Sequence, residues 1–196
     1  MKLLLCRSKW LFINVFFLFT GAGCASLPAE GPAQDGFDLR GKLGIVQADE
    51  SFSARFLWRQ QAAAFRIDLW GPLGQGRLQL AGDQHTLELR DSDGSVISSG
   101  PSEAVMNRHL GWSLPLAVLP HWVRGRPAPN GSVAGRVKDA AGRLTAFRQL
   151  GWQVELERYQ RLSDAAGDDQ PVYLPHRVTA RRGEYRVRLA ISEWQI

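Results

Sequence analysis

Side chains that commonly carry out enzymatic chemistry are sparse in this chain of 196 residues and form no complete catalytic set. Glu155 and Glu157 would lie on one face of a strand about 7 Å apart, a spacing that a paired-carboxylate hydrolase can use, although a solvated polar face has the same pattern. The glycine-rich segment 71–76 lacks the GxGxxG order of a dinucleotide site, and no GxSxG elbow occurs. Four histidines form no HxxxH or HxH pair, and we expect them to be structural or exposed: His85, His109, His121 and His176. The sequence therefore indicates a protein that is not an enzyme and uses no metal or cofactor.

The thiol of Cys24 is the one reactive group with a recognisable context. Three basic residues lie within the first nine positions, and residues 10–23 follow without a charge. That length suits a signal-peptide core and is short of the roughly 20 residues that span a membrane. The run ends in Gly-Ala-Gly-Cys, which resembles a bacterial lipobox whose cysteine is acylated and becomes the new N-terminus; an ordinary secretory leader with an incidental cysteine is the alternative. We expect a signal peptide over residues 1–23 and lipid, palmitate included, on Cys24, while Ala25 after it favours the outer membrane.

Charge and cysteine content exclude further classes of protein. The segment 1–23 contains three basic residues and no acidic one, so its removal lowers the formal net charge from +5 to +2. This balance lacks the basic footprint of a nucleic-acid-binding protein. Cys6 and Cys24 are the two cysteines, and loss of Cys6 with the leader excludes a disulfide scaffold. We predict a lipidated N-terminus and flexible tether over residues 24–36 and a single domain over residues 37–196.

Alternating apolar and polar residues predict an antiparallel meander in the first half of that domain. The first run places four apolar side chains on one strand face: Phe37, Leu39, Leu43 and Ile45. The alternation recurs in four further segments: residues 52–58, 65–69, 78–80 and 87–89. Short turn sequences separate the runs, as in a meander with tight connections.

The period changes after residue 100, where two short helices are predicted. One opens at Pro101 and the other lies within residues 114–124. A Gly/Pro-rich connector is expected over residues 125–142, and strands resume at residues 152–157, 178–180 and 185–191. Helices in mid-chain can cover the apolar face of an antiparallel sheet. The interior is then either a packed core or a hydrophobic cavity, and the pattern alone does not choose between them.

An apolar residue stands at the predicted turn between the third and fourth strands. Leu73 is flanked by Pro72 and Gly74, at a place where turns usually carry Asn, Asp, Gly or Ser. An exposed apolar tip marks a contact with a membrane or a partner, whereas a loop that folds back would let Leu73 cap the core. Both interpretations stay open on the residues alone.

Seven short motifs follow one another along nearly the whole mature chain. They are Gly-Ala-Gly-Cys at 21–24, Phe-Asp-Leu-Arg-Gly-Lys-Leu-Gly at 37–44, Phe-Leu-Trp-Arg-Gln at 56–60, Gly-Pro-Leu-Gly at 71–74, Leu-Pro-His-Trp-Val-Arg-Gly at 119–125, Gln-Leu-Gly-Trp at 149–152 and Leu-Pro at 174–175. In this order and spacing they resemble the LolB family of outer-membrane lipoprotein receptors. A Gly/Ala/Asp-rich insertion at residues 163–170 departs from the family's pattern.

The resemblance implies a fold, a function and partners. The implied fold is mostly β, an incomplete antiparallel β-barrel covered by a helical lid and enclosing a hydrophobic cavity, as in LolA and LolB. The implied function is that of a non-enzymatic receptor on the periplasmic face of the outer membrane. Such a receptor accepts lipoproteins, through their acyl chains, from the periplasmic carrier LolA and inserts them into that membrane. We expect a monomer that binds no nucleic acid.

The resemblance also points to individual residues. The family's protruding insertion loop matches Trp70, Gly71, Pro72, Leu73 and Gly74, with Leu73 as the apolar residue that assists insertion. Six inward aromatic residues are candidates for the walls of the acyl cavity, and packing into a dry core would explain each of them as well: Phe56, Trp58, Phe65, Trp122, Trp152 and Trp194.

Two other functions remain as alternatives. The first is a lipid-anchored periplasmic module that binds a small apolar ligand without transferring it, and such a module needs no apolar tip. The second is a cell-envelope hydrolase, which needs an acid–base constellation that the sequence does not display.

Overall fold

Strands form where the sequence alternates, because successive side chains of a strand point to opposite faces of the sheet. In the first strand Leu39, Leu43 and Ile45 are buried, while Arg40 and Lys42 on the other face are exposed. The second strand repeats the pattern. The apolar faces of the strands together bury one continuous hydrophobic core.

A computed structural model describes residues 36–71, 74, 76–162 and 171–196. Within them the chain forms eleven strands and two helices. In chain order these are β1 (Phe37–Gln47), β2 (Glu50–Gln61), β3 (Ala64–Trp70), β4 (Leu78–Gly82), β5 (Thr86–Arg90), β6 (Val96–Pro101), α1 (Ser102–Leu110), α2 (Leu119–Val123), β7 (Val133–Lys138), β8 (Leu144–Gln149), β9 (Trp152–Arg161), β10 (Tyr173–Arg182) and β11 (Tyr185–Gln195).

All eleven strands belong to one antiparallel sheet in the order β6-β5-β4-β3-β2-β1-β11-β10-β9-β8-β7. The first and last strands meet at its centre, where Leu43 pairs with Leu189. Each half of the sheet is therefore a meander that ends in an edge strand, β6 on one side and β7 on the other. Between these edges the sheet is open, which confirms the predicted mostly-β fold with an incomplete antiparallel sheet.

The two helices cover the core face of the sheet. Val105 and Met106 of α1 are buried in the same core cluster as the strand residues, and so are Leu119, Trp122 and Val123 of α2. The second helix is shorter than the segment 114–124 in which we predicted it. The helices fold over the sheet because their few apolar residues have no other surface against which to pack.

The connector expected over residues 125–142 is wrong in part, because β7 lies within it. Two more strands, β6 and β8, had no counterpart in the predicted runs. The edge strands β6 and β7 are largely exposed and so show no apolar alternation. In β8 the core face carries Phe147 together with a polar residue, Gln149, which interrupts the expected pattern.

Candidate functional site

The predicted insertion loop connects β3 with β4. Trp70 is half-buried at the end of β3, and Gly71 follows it directly. The amide of Gly74 donates a hydrogen bond to the carbonyl of Gly71 at 3.0 Å, and the positive φ of 78° at Gly74 is a backbone conformation that glycine adopts without strain. Pro72 and Leu73 lie outside the described residues, as do Cys24 and the insertion at 163–170, so their predicted roles stay predictions.

An ion pair joins the two stems of this loop. The carboxylate of Asp68 on β3 is buried and accepts hydrogen bonds from Arg77 Nη2 and Gln79 Nε2, both at 2.9 Å. Arg77 directly precedes β4, and Gln79 is the cross-strand partner of Asp68. A buried carboxylate needs such partners, because burying an unpaired charge is costly. The two ends of the loop are therefore held together by this ion pair. The alternating pattern of residues 65–69 puts Asp68 on the polar face of a strand and gives no sign that its carboxylate is buried and paired with Arg77.

A cavity of about 680 Å³ opens beside the same loop, and we call it the Trp70 cavity. One wall is a row of cross-strand partners that runs over four strands: Trp70 on β3, Arg55 on β2, Lys42 on β1 and Ala190 on β11. Cross-strand partners share a face of the sheet. This row lies on the face opposite the core, and among the described residues none from either helix lines the Trp70 cavity.

The Trp70 cavity is basic with apolar patches. Its lining contains Arg40, Lys42, Arg55 and Arg158, together with His176, and the described residues contribute no Asp or Glu to it. Apolar surface comes from the partly exposed Leu57, Trp70 and Ala190, and the core residues Phe56 and Ile191 also border the cavity. Such a lining is suited to a molecule with an anionic part and an apolar part.

The six aromatic candidates for the acyl cavity are all buried, but they do not surround one cavity. Phe56 lines the Trp70 cavity, whereas Phe65 and Trp152 line two different cavities of about 370 Å³ each. Trp152 shares its cavity with the start of α1 and the segment between the helices.

The other three candidates pack edge to face with their neighbours in the core. Trp58 and Trp194 flank Phe37, with ring centroids 5.1 and 5.6 Å from it. Trp122 contacts Trp152 at 6.2 Å. This arrangement is favourable for aromatic rings and fills space. These three rings are therefore packed against other aromatic side chains in the core, and their role as cavity walls remains a prediction.

The paired carboxylates and the histidines show no catalytic arrangement in the described part of the chain. Glu155 and Glu157 share a face, but Glu155 is paired with Arg181 at 2.6 Å and Glu157 with Arg177 at 3.8 Å. Burial, with Arg126 and Arg124 nearby, holds the pKa of His121 below its ordinary value. Among the described residues, no three His, Cys, Asp or Glu side chains lie together as metal ligands would. Nor does any helix there have the length and hydropathy to cross a bilayer.

Comparison with known proteins assigns the family. The family model described as "Outer membrane lipoprotein LolB" matches residues 35–194. The chain belongs to the LolB family. A LolB from Marinobacter nauticus is 37% identical over 163 residues, which cover 82% of this chain and 76% of that protein. A LolB from Chromohalobacter salexigens is 35% identical over 163 residues, covering 83% of this chain and 72% of the relative.

A solved structure supports the same fold. The LolA-superfamily protein from Nitrosomonas europaea superimposes with a TM-score of 0.50 at 11% sequence identity, covering 83% of this chain and 86% of that one. The LolB match makes this chain an outer-membrane lipoprotein that acts as a receptor in the Lol lipoprotein-localisation pathway. Its expected lipid anchor agrees with that location.

Proposed function

We propose that this LolB-family protein accepts lipoproteins by their acyl chains from a LolA-type carrier and inserts them into the outer membrane. Membership of the LolB family and the LolA-superfamily fold support the proposal. The transfer involves no covalent step, so the protein works as a receptor and not as an enzyme. A single copy carries both the loop and the cavity described above, which is consistent with a monomer.

The energetics of acyl chains explain why a receptor is needed. Each buried CH₂ is worth about 0.8 kcal/mol, so a triacylated lipoprotein gains on the order of tens of kcal/mol in a bilayer. Free passage through water would forfeit that gain. A protein that shields the chains, and binds them more tightly than the carrier but less tightly than the bilayer, makes each step directional at a few kcal/mol.

The proposal rests on the position of Trp70, which belongs both to the predicted insertion loop and to the wall of the Trp70 cavity. It ends β3 at the root of the predicted insertion loop, and it also lines the Trp70 cavity. A loop that enters a bilayer would therefore bring this cavity to the membrane surface. We infer that Leu73, three residues further along the chain, inserts into the bilayer while acylated Cys24 tethers the protein there. Two lipid signals are generally needed for stable anchoring, and a processed lipobox cysteine supplies three acyl chains.

The proposal is tested with Leu73→Glu in vesicles that carry the acylated protein. Vesicles receive carrier loaded with a labelled lipoprotein, and cross-linking reports the label on the receptor while resistance to alkaline extraction reports insertion. A charge at the tip should lower insertion at least tenfold and leave acceptance unchanged, because a carboxylate is costly to place in lipid. Leu150→Glu is the matched control, since Leu150 is an exposed leucine with φ 52° in the turn between β8 and β9.

The same experiment separates transfer from simple ligand binding. A module that only holds a small apolar ligand would take no label from the carrier, and Leu73→Glu would change nothing. Equal insertion by Leu73→Glu and Leu150→Glu would remove the proposed role of the loop.

A further inference from the structure

Two positive charges face each other on the wall of the Trp70 cavity. Lys42 on β1 and Arg55 on β2 are direct cross-strand partners, and both are exposed on the face opposite the core. Within the part of the chain that the structure describes, neither forms an ion pair. Like charges placed directly opposite on neighbouring strands repel and destabilise the sheet. An anion held between the two side chains would convert this repulsion into attraction.

Further basic side chains surround this pair of charges, and the carboxylates nearby are partnered by other arginines. Arg158 also lines the cavity, and Arg40 lies on the same face, 3.9 Å from the half-exposed carboxylate of Glu193. Asp68 lies on this face opposite Leu57, but its carboxylate is already paired with Arg77. The described lining contains no carboxylate. Several cations that converge on one cavity attract an anion more strongly than any of them does alone.

Apolar surface lies next to these cations and limits the kind of anion. Trp70 pairs with Arg55, and Leu57 pairs with Arg40, so an aromatic and an aliphatic side chain each flank a charge on the same face. The volume of about 680 Å³ falls within the range of small-molecule sites, roughly 300–1,000 Å³. A compact amphiphile with one negative charge fits this combination better than a flat acidic protein surface, which would leave the cavity unfilled.

We propose that the Trp70 cavity binds the headgroup of an anionic phospholipid from the membrane in which the protein is anchored. The phosphate lies between Lys42 and Arg55, and the glycerol with the first part of an acyl chain lies against Trp70 and Leu57. Trp70 is also the root of the predicted insertion loop, so the cavity lies at the end of the strand from which, under the proposed function, the chain enters the bilayer. A site for a resident lipid is separate from the transfer of lipoprotein acyl chains and would orient the protein on the membrane.

The test uses the full acylated protein in micelles of an uncharged detergent and needs neither carrier nor cargo, so its failure is distinguishable from failure of the transfer proposal. Dihexanoyl phosphatidylglycerol, below its own micelle-forming concentration, is the probe. Dihexanoyl phosphatidylcholine has the same chains without the net charge, and inorganic phosphate has the charge without the chains. We expect phosphatidylglycerol to bind at least tenfold more tightly than either, as measured by calorimetry.

Two double variants test whether phosphatidylglycerol binds in the Trp70 cavity. Lys42→Gln/Arg55→Gln should weaken phosphatidylglycerol binding at least tenfold. Arg186→Gln/Arg188→Gln removes two charges from β11 that do not line the cavity and should change binding less than twofold. The first variant should unfold at the same temperature as the wild type or a higher one, because it removes the repulsion between the two strands.

Salt supplies a measurement that does not depend on variants. Binding of phosphatidylglycerol to the wild-type protein should weaken several-fold between low salt and 0.5 M salt, because exposed charges are screened. Equal binding of phosphatidylcholine, binding of inorganic phosphate as tight as that of phosphatidylglycerol, equal effects of the two double variants, or binding insensitive to salt would each overturn the proposal.

Discussion

The indole Nε1 of Trp122 donates a hydrogen bond to Oε1 of Gln149 at 2.9 Å, and both side chains are buried. The same oxygen accepts from the amide of Ala128 at 2.9 Å, and Nε2 of Gln149 donates to the carbonyls of Ala128 and Asn130. One side-chain amide therefore holds α2 and the segment that follows it onto β8. Buried polar groups of this kind are stabilising when they are fully paired and costly when a partner is lost.

Gln149→Leu should destabilise the protein by about 3 kcal/mol, because it leaves the N–H of Trp122 and the polar backbone groups of Ala128 buried without partners. Urea unfolding of this variant and of a control variant measures the change in the free energy of unfolding. Gln153→Leu, in the exposed face of β9, is the control and should change stability by less than about 0.5 kcal/mol. Equal effects of the two substitutions would show that the amide does not hold α2.

Gly41 lies at a close approach between β1 and β11. A Cβ added there would overlap the carbonyl oxygen of Ala190, whereas one added at Gly44 would meet nothing within 4 Å. The register between the two strands shifts between Arg40 and Gly41, where the chains come together. Gly41→Ala should therefore cost roughly 2 kcal/mol or more through backbone displacement, while Gly44→Ala should be neutral or slightly stabilising. Thermal unfolding distinguishes the two, and a Gly41→Ala protein as stable as Gly44→Ala would contradict the packing described here.

The ion pair at the base of the loop connects stability with the proposed insertion step. Arg77→Gln leaves the buried carboxylate of Asp68 with Gln79 as its hydrogen-bond donor, which should cost about 1–2 kcal/mol and loosen both stems of the loop. We expect insertion of lipoprotein into vesicles to slow several-fold while acceptance from the carrier is retained. Arg90→Gln, which breaks the ion pair with Glu88 on β5, is the control and should leave insertion unchanged. If both variants insert lipoprotein at the wild-type rate, the base of the loop has no part in the step.

His121 should contribute a pH dependence to stability. Its folded-state pKa lies below its ordinary value, first through burial and then through the charges of Arg126 and Arg124. The unfolded chain therefore binds the proton more readily, so stability from this residue is present above the unfolded pKa of about 6.5 and is lost as pH falls through the folded pKa. His121→Gln should lose less stability than the wild type between pH 7.5 and 5, as measured by thermal unfolding. An identical loss in both proteins would contradict this account.

The parts of the fold that could be predicted from the sequence are those in which burial imposes a period. Alternation identifies β1 and β2, because each buries every second side chain. The edge strands β6 and β7 bury little, so nothing in their sequences distinguishes them from loops. β8 could not be predicted for another reason. Gln149 occupies a core position of this strand, where an alternating pattern would have an apolar residue.

Some features of the candidate site could likewise be predicted from the sequence, and others could not. The apolar tip of the loop and the root at Trp70 are local features, so adjacent residues are enough to suggest them. The facing charges of Lys42 and Arg55, in contrast, are thirteen positions apart in sequence and become partners only through the register of β1 and β2. Asp68 and Arg77 meet only because the loop returns the chain to β4. Contacts between side chains that are so far apart in the sequence cannot be predicted from short motifs or from the periodicity of apolar residues.

The most direct test of the account follows one labelled lipoprotein over time. Carrier loaded with the lipoprotein is mixed with vesicles that bear the acylated protein, and the label is measured on the carrier, on the receptor and in the bilayer. We predict that label on the receptor rises as label on the carrier falls, and then declines as label in the bilayer increases. Label that stays on the carrier, or that reaches the bilayer at the same rate when the vesicles lack this protein, would contradict the claim that the chain receives and inserts lipoproteins.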